Sequence, residues 1–137
     1  MKKIRLLVMA GLLLLVISGS ITAFAKGNTA DTRWHNEYRF WSPYDHSPAR
    51  MKFNTSAYYN KVIGSSLNNY AKFWAALGDG KDVSDGHVYR QRLGNKPLHL
   101  YNKALEWNNY YPIKVRVESA RFESFAMWGV WSPDSRR

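Results

Sequence analysis

The stretch Ile113-Lys114-Val115-Arg116-Val117-Glu118 alternates apolar and charged side chains without a break. An extended strand sends successive side chains to opposite faces, so it sorts such a stretch into one dry side and one wet side. A helix would scatter the same apolar residues around its circumference. The period recurs along the chain. Residues 50–56 set Met51, Phe53 and Thr55 against Arg50, Lys52 and Asn54. Residues 70–77 place Ala71, Phe73, Ala75 and Leu77 together as in a strand, although their alanines also permit a short helix, and residues 87–93 set Val88, Arg90 and Arg92 opposite Tyr89, Gln91 and Leu93. Residues 122–131 carry rings on both faces, the pattern of a strand that is central or covered on both sides. Residues 98–101 and 104–107 are further short candidates, with helix as the rival for the second. Residues 57–69 stay ambiguous, because Gly64-Ser65-Ser66 and Asn68-Asn69 read as turn and loop. Turn signals also fall at residues 78–86 and 94–97, at Asn108-Asn109 and near Ser119-Ala120. Short strands about ten residues apart predict an all-β domain, a small antiparallel β-sandwich or barrel.

The chain has no cysteine, so no disulfide can staple such a fold, and the core must hold it. The 6 Trp, 9 Tyr and 6 Phe supply the large apolar groups a core needs. Residues 1–25 have the order of a secretory signal peptide. Lys2, Lys3 and Arg5 are basic, residues 6–17 are apolar, and Ala23-Phe24-Ala25 is an A-x-A cleavage site. The apolar run is too short to span a bilayer comfortably, so signal peptidase is the expected first partner and Lys26 the expected start of the exported protein. Residues 26–33 read as a flexible leader. Residues 34–48 read as an extended aromatic arm interrupted by Pro43 and Pro48. The β-sandwich domain is then expected over residues 49–137.

Lys and Arg number 20 against 10 Asp and Glu. Losing the signal lowers the formal charge of +10 by three. A basic cytosolic protein would point to nucleic acid, but an exported one meets other anions, so no nucleic acid is expected. Arg90 and Arg92 share one strand face, and Lys114 and Arg116 share another. If those strands are neighbours, the four cations make a compact site for an anionic cell-wall polymer or lipid surface. Trp34, Tyr38, Phe40 and Trp41 of the arm are the candidate aromatic contacts.

Catalytic chemistry finds little support. There is no cysteine nucleophile and no G-x-S-x-G elbow. Asp45, His46 and a serine could be drawn as a triad, but four histidines allow such pairings by chance. His35, His46, His87 and His99 lack the close spacing of a metal clip, and no metal or cofactor is expected. Asp79, Asp82 and Asp85 lie three apart rather than two, which reads as turn chemistry, not as a Ca²⁺ loop. Glu106, Glu118 and Glu123 are the carboxylates from which a glycosidase pair would have to come. Glu118, opposite the apolar face of its strand, is expected to be exposed.

Several short motifs carry a resemblance. They are Phe73-Trp74, Val83-Ser84, Tyr101-Asn102-Lys103-Ala104, Leu105-Glu106-Trp107-Asn108-Asn109 and the ending Trp128-Gly129-Val130-Trp131-Ser132-Pro133. Together they resemble a family of small secreted proteins of Gram-positive bacteria known as a domain of unknown function. This resemblance implies secretion, a compact β fold and no established enzymatic activity, and it carries no catalytic residues. A weaker similarity of habitat and fold is to lactococcin 972-type bacteriocins. The expected function is non-enzymatic action at the cell envelope through anionic polymer or lipid, in the manner of a bacteriocin-like competition factor. A structural or matrix-like secreted protein and a small cell-wall hydrolase are the alternatives.

Overall fold

Nine strands carry the described part of the chain in the computed structural model, which describes residues 27–135. The expected signal peptide, its cleavage site and the first exported residue lie outside these residues. The strands are β1 (Thr32–Tyr38), β2 (Tyr44–His46), β3 (Arg50–Lys52), β4 (Tyr58–Ser65), β5 (Ala71–Leu77), β6 (Tyr89–Gln91), β7 (Leu98–Leu100), β8 (Ile113–Ala120) and β9 (Phe125–Ser132). One antiparallel sheet has the order β1-β9-β4-β7, and the other β2-β8-β5-β6 with β3 beside β2 on the β8 edge. The two sheets pack face to face as a sandwich.

The alternating residues form its core. Val115 and Val117 of β8, Ala71, Phe73 and Ala75 of β5, and Phe125, Met127 and Trp131 of β9 are all buried. Trp34 of β1 meets Phe73 of β5 across the layers, with ring centroids 5.6 Å apart. Polar side chains rivet the sheets as well. The Tyr38 hydroxyl donates to Ser119 Oγ at 2.8 Å, and Asn36 Nδ2 donates to the same oxygen at 2.7 Å. Asn60 Nδ2 donates to Gln91 Oε1 at 3.1 Å. Burial, opposed by these bonds, pushes the Tyr38 phenol up to about 12.

Several expectations are corrected. Residues 34–48 are not an arm on the domain, and no boundary falls at residue 48. β1 is a full edge strand whose seven residues pair with β9, because Pro43 and Pro48 lie beyond it. Residues 27–31 also belong to the fold, since the Asn28 amide donates to Asp134 Oδ2 at 2.8 Å. The register expected for residues 50–56 is reversed. Lys52 and Asn54 point inward and Thr55 outward. The Lys52 ammonium is buried with all three of its hydrogens used. It donates to Ser56 O, to Pro133 O at 2.7 Å and to Asp134 Oδ1 at 2.8 Å.

The ambiguous residues 57–69 contain β4, whose inward Tyr58, Asn60 and Val62 keep the period although Asn60 is polar. β8 continues through Ser119 and Ala120, so the turn falls after them. Residues 106–108 form a 3-10 turn, not a strand. β9 is central in its sheet, as its two-faced pattern implies, but its outer side is open and Trp128 is exposed.

Candidate functional site

The four cations expected to converge do not form one cluster. β5 lies between β6 and β8, so the two basic pairs are two strands apart. Arg90 sits opposite Lys72, whereas Arg116 sits opposite Ala76. Four residues of strand separate those positions, about 14 Å. Arg116 is committed elsewhere, because its Nε lies 2.5 Å from Glu118 Oε1. That pair is only slightly exposed and is covered by the turn at Gly80, where an added Cβ would lie 2.8 Å from the Arg116 guanidinium. Glu118 is therefore a buried, paired carboxylate and not the exposed charge expected. Lys114 is exposed at the same end of the sheet as Arg116. Arg90 and Arg92 remain exposed at the other end.

The aromatic quartet also divides. Trp34 and Tyr38 are buried core residues and not the exposed contacts expected. Phe40 and Trp41 stand 72% and 77% exposed. They form the tip of a two-residue turn closed by reciprocal backbone bonds of 3.0 Å between Arg39 and Ser42, which carries the chain from one sheet to the other.

What the fold gathers is the surviving half of each set, together with residues the sequence reading passed over. The β1 end at Tyr38, the β9 start at Phe125, the β8 end at Ala120 and the β5 start at Ala71 all lie at one end of the sandwich. The loops leaving them hold Phe40, Trp41 and Phe122, and β2 begins there at Tyr44; all four are exposed, with Tyr44 and Phe122 edge to face at 6.2 Å. Beside them Tyr70 is approached by Arg90 of β6 and by Arg121 of the loop after β8. The Arg90 guanidinium lies 4.6 Å from its ring centroid and that of Arg121 lies 4.2 Å away. A hydrogen bond from Arg121, then the charges of Arg90, Arg121 and Lys72, hold the Tyr70 phenol below its ordinary value.

The Arg121 amide donates to Pro43 O at 2.8 Å, which ties this loop to the Phe40-Trp41 turn. Tyr70, Lys72, Ala120, Arg121 and Phe122 line an open cavity of about 330 Å³. Glu123 takes up part of the Arg121 charge at 3.1 Å, whereas Lys72, Arg90 and Arg92 have no ion pair among the described residues. The end therefore presents cations beside exposed aromatics, an arrangement suited to an anion with an apolar neighbour. The sequence signals were Tyr70-Ala71-Lys72 and Arg121-Phe122-Glu123. Placing the turn at Ser119-Ala120 hid the second.

No catalytic constellation assembles from the other candidates. His46 Nδ1 lies against Ser47 O at 2.8 Å and Asp45 accepts the backbone amides of Glu37 and His46, so no serine hydroxyl completes the Asp45–His46 pair. Asp79 and Asp82 accept the amides of Lys81 and Ser84 at 3.0 and 2.8 Å, which is turn chemistry. Among the described residues no three His, Asp or Glu side chains gather as a metal site requires, and no helix is long and apolar enough to cross a membrane. Glu118 and Glu123 are both held by arginines.

A family model described as "Protein of unknown function (DUF2712)" matches residues 21–135. No curated protein and no solved structure matches the chain.

Proposed function

We propose that this chain, which belongs to the DUF2712 family, docks without catalysis on anionic lipid surfaces through the loop end of its sandwich. The observation that carries this reading is the joint placement of exposed rings and cations there. Phe40 and Trp41 project from the turn, Tyr44 and Phe122 stand beside them, and Lys72, Arg90 and Arg121 surround Tyr70. Tryptophan and tyrosine favour the headgroup layer, where one part of the ring is dry and the other wet. Each Lys or Arg near an anionic leaflet adds roughly 1 kcal/mol of attraction. Export by the expected signal peptide would bring this end to the outer envelope.

Sedimentation with phosphatidylglycerol and with phosphatidylcholine vesicles tests the reading at two salt levels. Binding is expected on the anionic vesicles and should weaken with salt, because exposed charges are screened over about 10 Å at 0.1 M. Replacing Phe40 and Trp41 with Ser, or Lys72, Arg90 and Arg121 with Gln, should each lower it at least tenfold. Equal binding to both vesicle types overturns the proposal. Binding to a soluble teichoic polymer that survives the Phe40 and Trp41 replacements would assign the cations to a polymer instead. Leakage of vesicle contents, measured in parallel, separates simple attachment from a bacteriocin-like action.

A further inference from the structure

The outer face of the β1-β9-β4-β7 sheet carries a second surface, remote in kind from the loop end. His35 and Trp128 face each other across β1 and β9 with planes 7° apart and centroids 5.7 Å apart, so their rings are offset and overlap only in part. The indole is seated by backbone design. β4 bulges between Val62 and Gly64, which leaves the outward Ile63 without a register partner and sets Gly64 opposite Trp128. A Cβ at Gly64 would lie only 2.2–2.4 Å from three atoms of the indole. This glycine is the one residue type that lets the ring lie down on the sheet at that point.

One register step away, about 7 Å along the strands, Arg33 and Lys61 flank Val130 from the two neighbouring strands. Neither cation has an ion pair among the described residues. Glu37, on the same face of β1, is already shared between Arg39 at 3.3 Å and the His35 ring at 3.8 Å. Arg33, His35, Ile63, Trp128 and Gly129 line a cavity of about 550 Å³ together with Trp34, whose buried indole N–H has no hydrogen-bond partner among the described residues.

We infer that this face binds an acidic glycan, with one pyranose ring against Trp128 and Ile63 and its carboxylate held by Arg33 and Lys61. A pyranose presents a face of C–H groups that packs on an aromatic ring, and its hydroxyls stay in water at an open groove. The two free cations select a sugar that carries an anion, because a guanidinium fork matches a carboxylate. A purely apolar partner would leave both cations desolvated without compensation. A cationic one would be repelled. The inference stands apart from the lipid proposal, since it uses different residues on a different surface.

The test is titration of the purified chain with a galacturonic acid hexamer and with a neutral galactose hexamer, followed by tryptophan fluorescence and calorimetry. The acidic oligomer should bind at least tenfold more tightly than the neutral one. Trp128→Ala should lower its affinity at least tenfold. Gly64→Ala, which displaces the indole without removing it, should do the same. The pair Arg33→Gln and Lys61→Gln should erase the preference for the acidic oligomer. Circular dichroism of each variant confirms that the fold is retained. Absence of binding, equal affinity for the two oligomers, or undiminished binding by folded Trp128→Ala or Gly64→Ala overturns the inference.

Discussion

The two ends of the sandwich treat charge in opposite ways. At one end Lys52 and Asp134 are both wholly buried, and each charge is met by every partner it can use. Asp134 Oδ2 accepts the amides of Asn28 and Phe53 at 2.8 and 3.0 Å while Oδ1 takes the ammonium. At the other end Lys72, Arg90 and Arg92 stand in solvent among exposed rings. A buried charge must be fully compensated, because stripping it of water costs several kcal/mol. An exposed one costs little to hold and is free to meet something else. The difference therefore separates charge that holds the fold from charge that is available to a partner.

The largest break in that contrast should come from Lys52→Ala. It leaves the Asp134 carboxylate buried without its cation, and removal of one member of such a pair typically costs about 3–5 kcal/mol. Urea melts should show this loss, and a change below about 1 kcal/mol would mean that water reaches the site. Alkaline pH probes the core between the two ends. Tyr38 ionises near 10 when unfolded and at about 12 when folded. Its contribution is present below pH 10 and falls away as pH rises from 10 through 12, by roughly 2–3 kcal/mol. Melts of the native chain and Tyr38→Phe should diverge over that interval, and parallel curves would show the hydroxyl to be wet.

The loop end should respond least in stability. Phe40→Ser with Trp41→Ser should move the urea midpoint by no more than about 0.5 kcal/mol, although vesicle binding falls. A large destabilisation would make these rings structural. The smallest effect is expected of Lys114→Ala, at the end away from the rings. Stability and vesicle binding should both stay unchanged, and a loss of vesicle binding would mean that the cations act as a diffuse field over the whole sheet.

The strands rich in β-branched and aromatic residues were legible because burial there follows a simple period. Val115 is buried and Lys114 exposed, as the alternation of β8 requires. The failures have one physical source, which is that a partner distant in the chain can reverse what a side chain would do alone. Lys52 reads as a surface residue until Asp134, 82 positions away, is placed beside it. Asn60 breaks the apolar pattern of β4 until Gln91 Oε1 is placed to accept from its Nδ2. Glu118 reads as exposed until Arg116 and the Gly80 turn close over it. The expected cationic quartet failed for a related reason. Strand order is set by pairing across the whole sheet, and nothing in residues 87–93 or 113–118 announces that β5 comes between them. The alternation did place Arg90 and Arg92 outward, and aromatic composition did single out Phe40 and Trp41. Their meeting with Tyr70, Arg121 and Phe122 is a property of the loop end alone.

The Asp134 carboxylate has a consequence for what can be attached to this molecule. By holding the amides of Asn28 and Phe53 it gathers the first and last described segments at a single pole, opposite the Phe40-Trp41 turn. A label placed at residue 28 or at residue 134 would sit at that pole, at the far end of the sheets from Phe40 and Trp41. The described fold thus has a built-in mooring direction: the aromatic pole lies at one end, and residues 28 and 134 meet at the other.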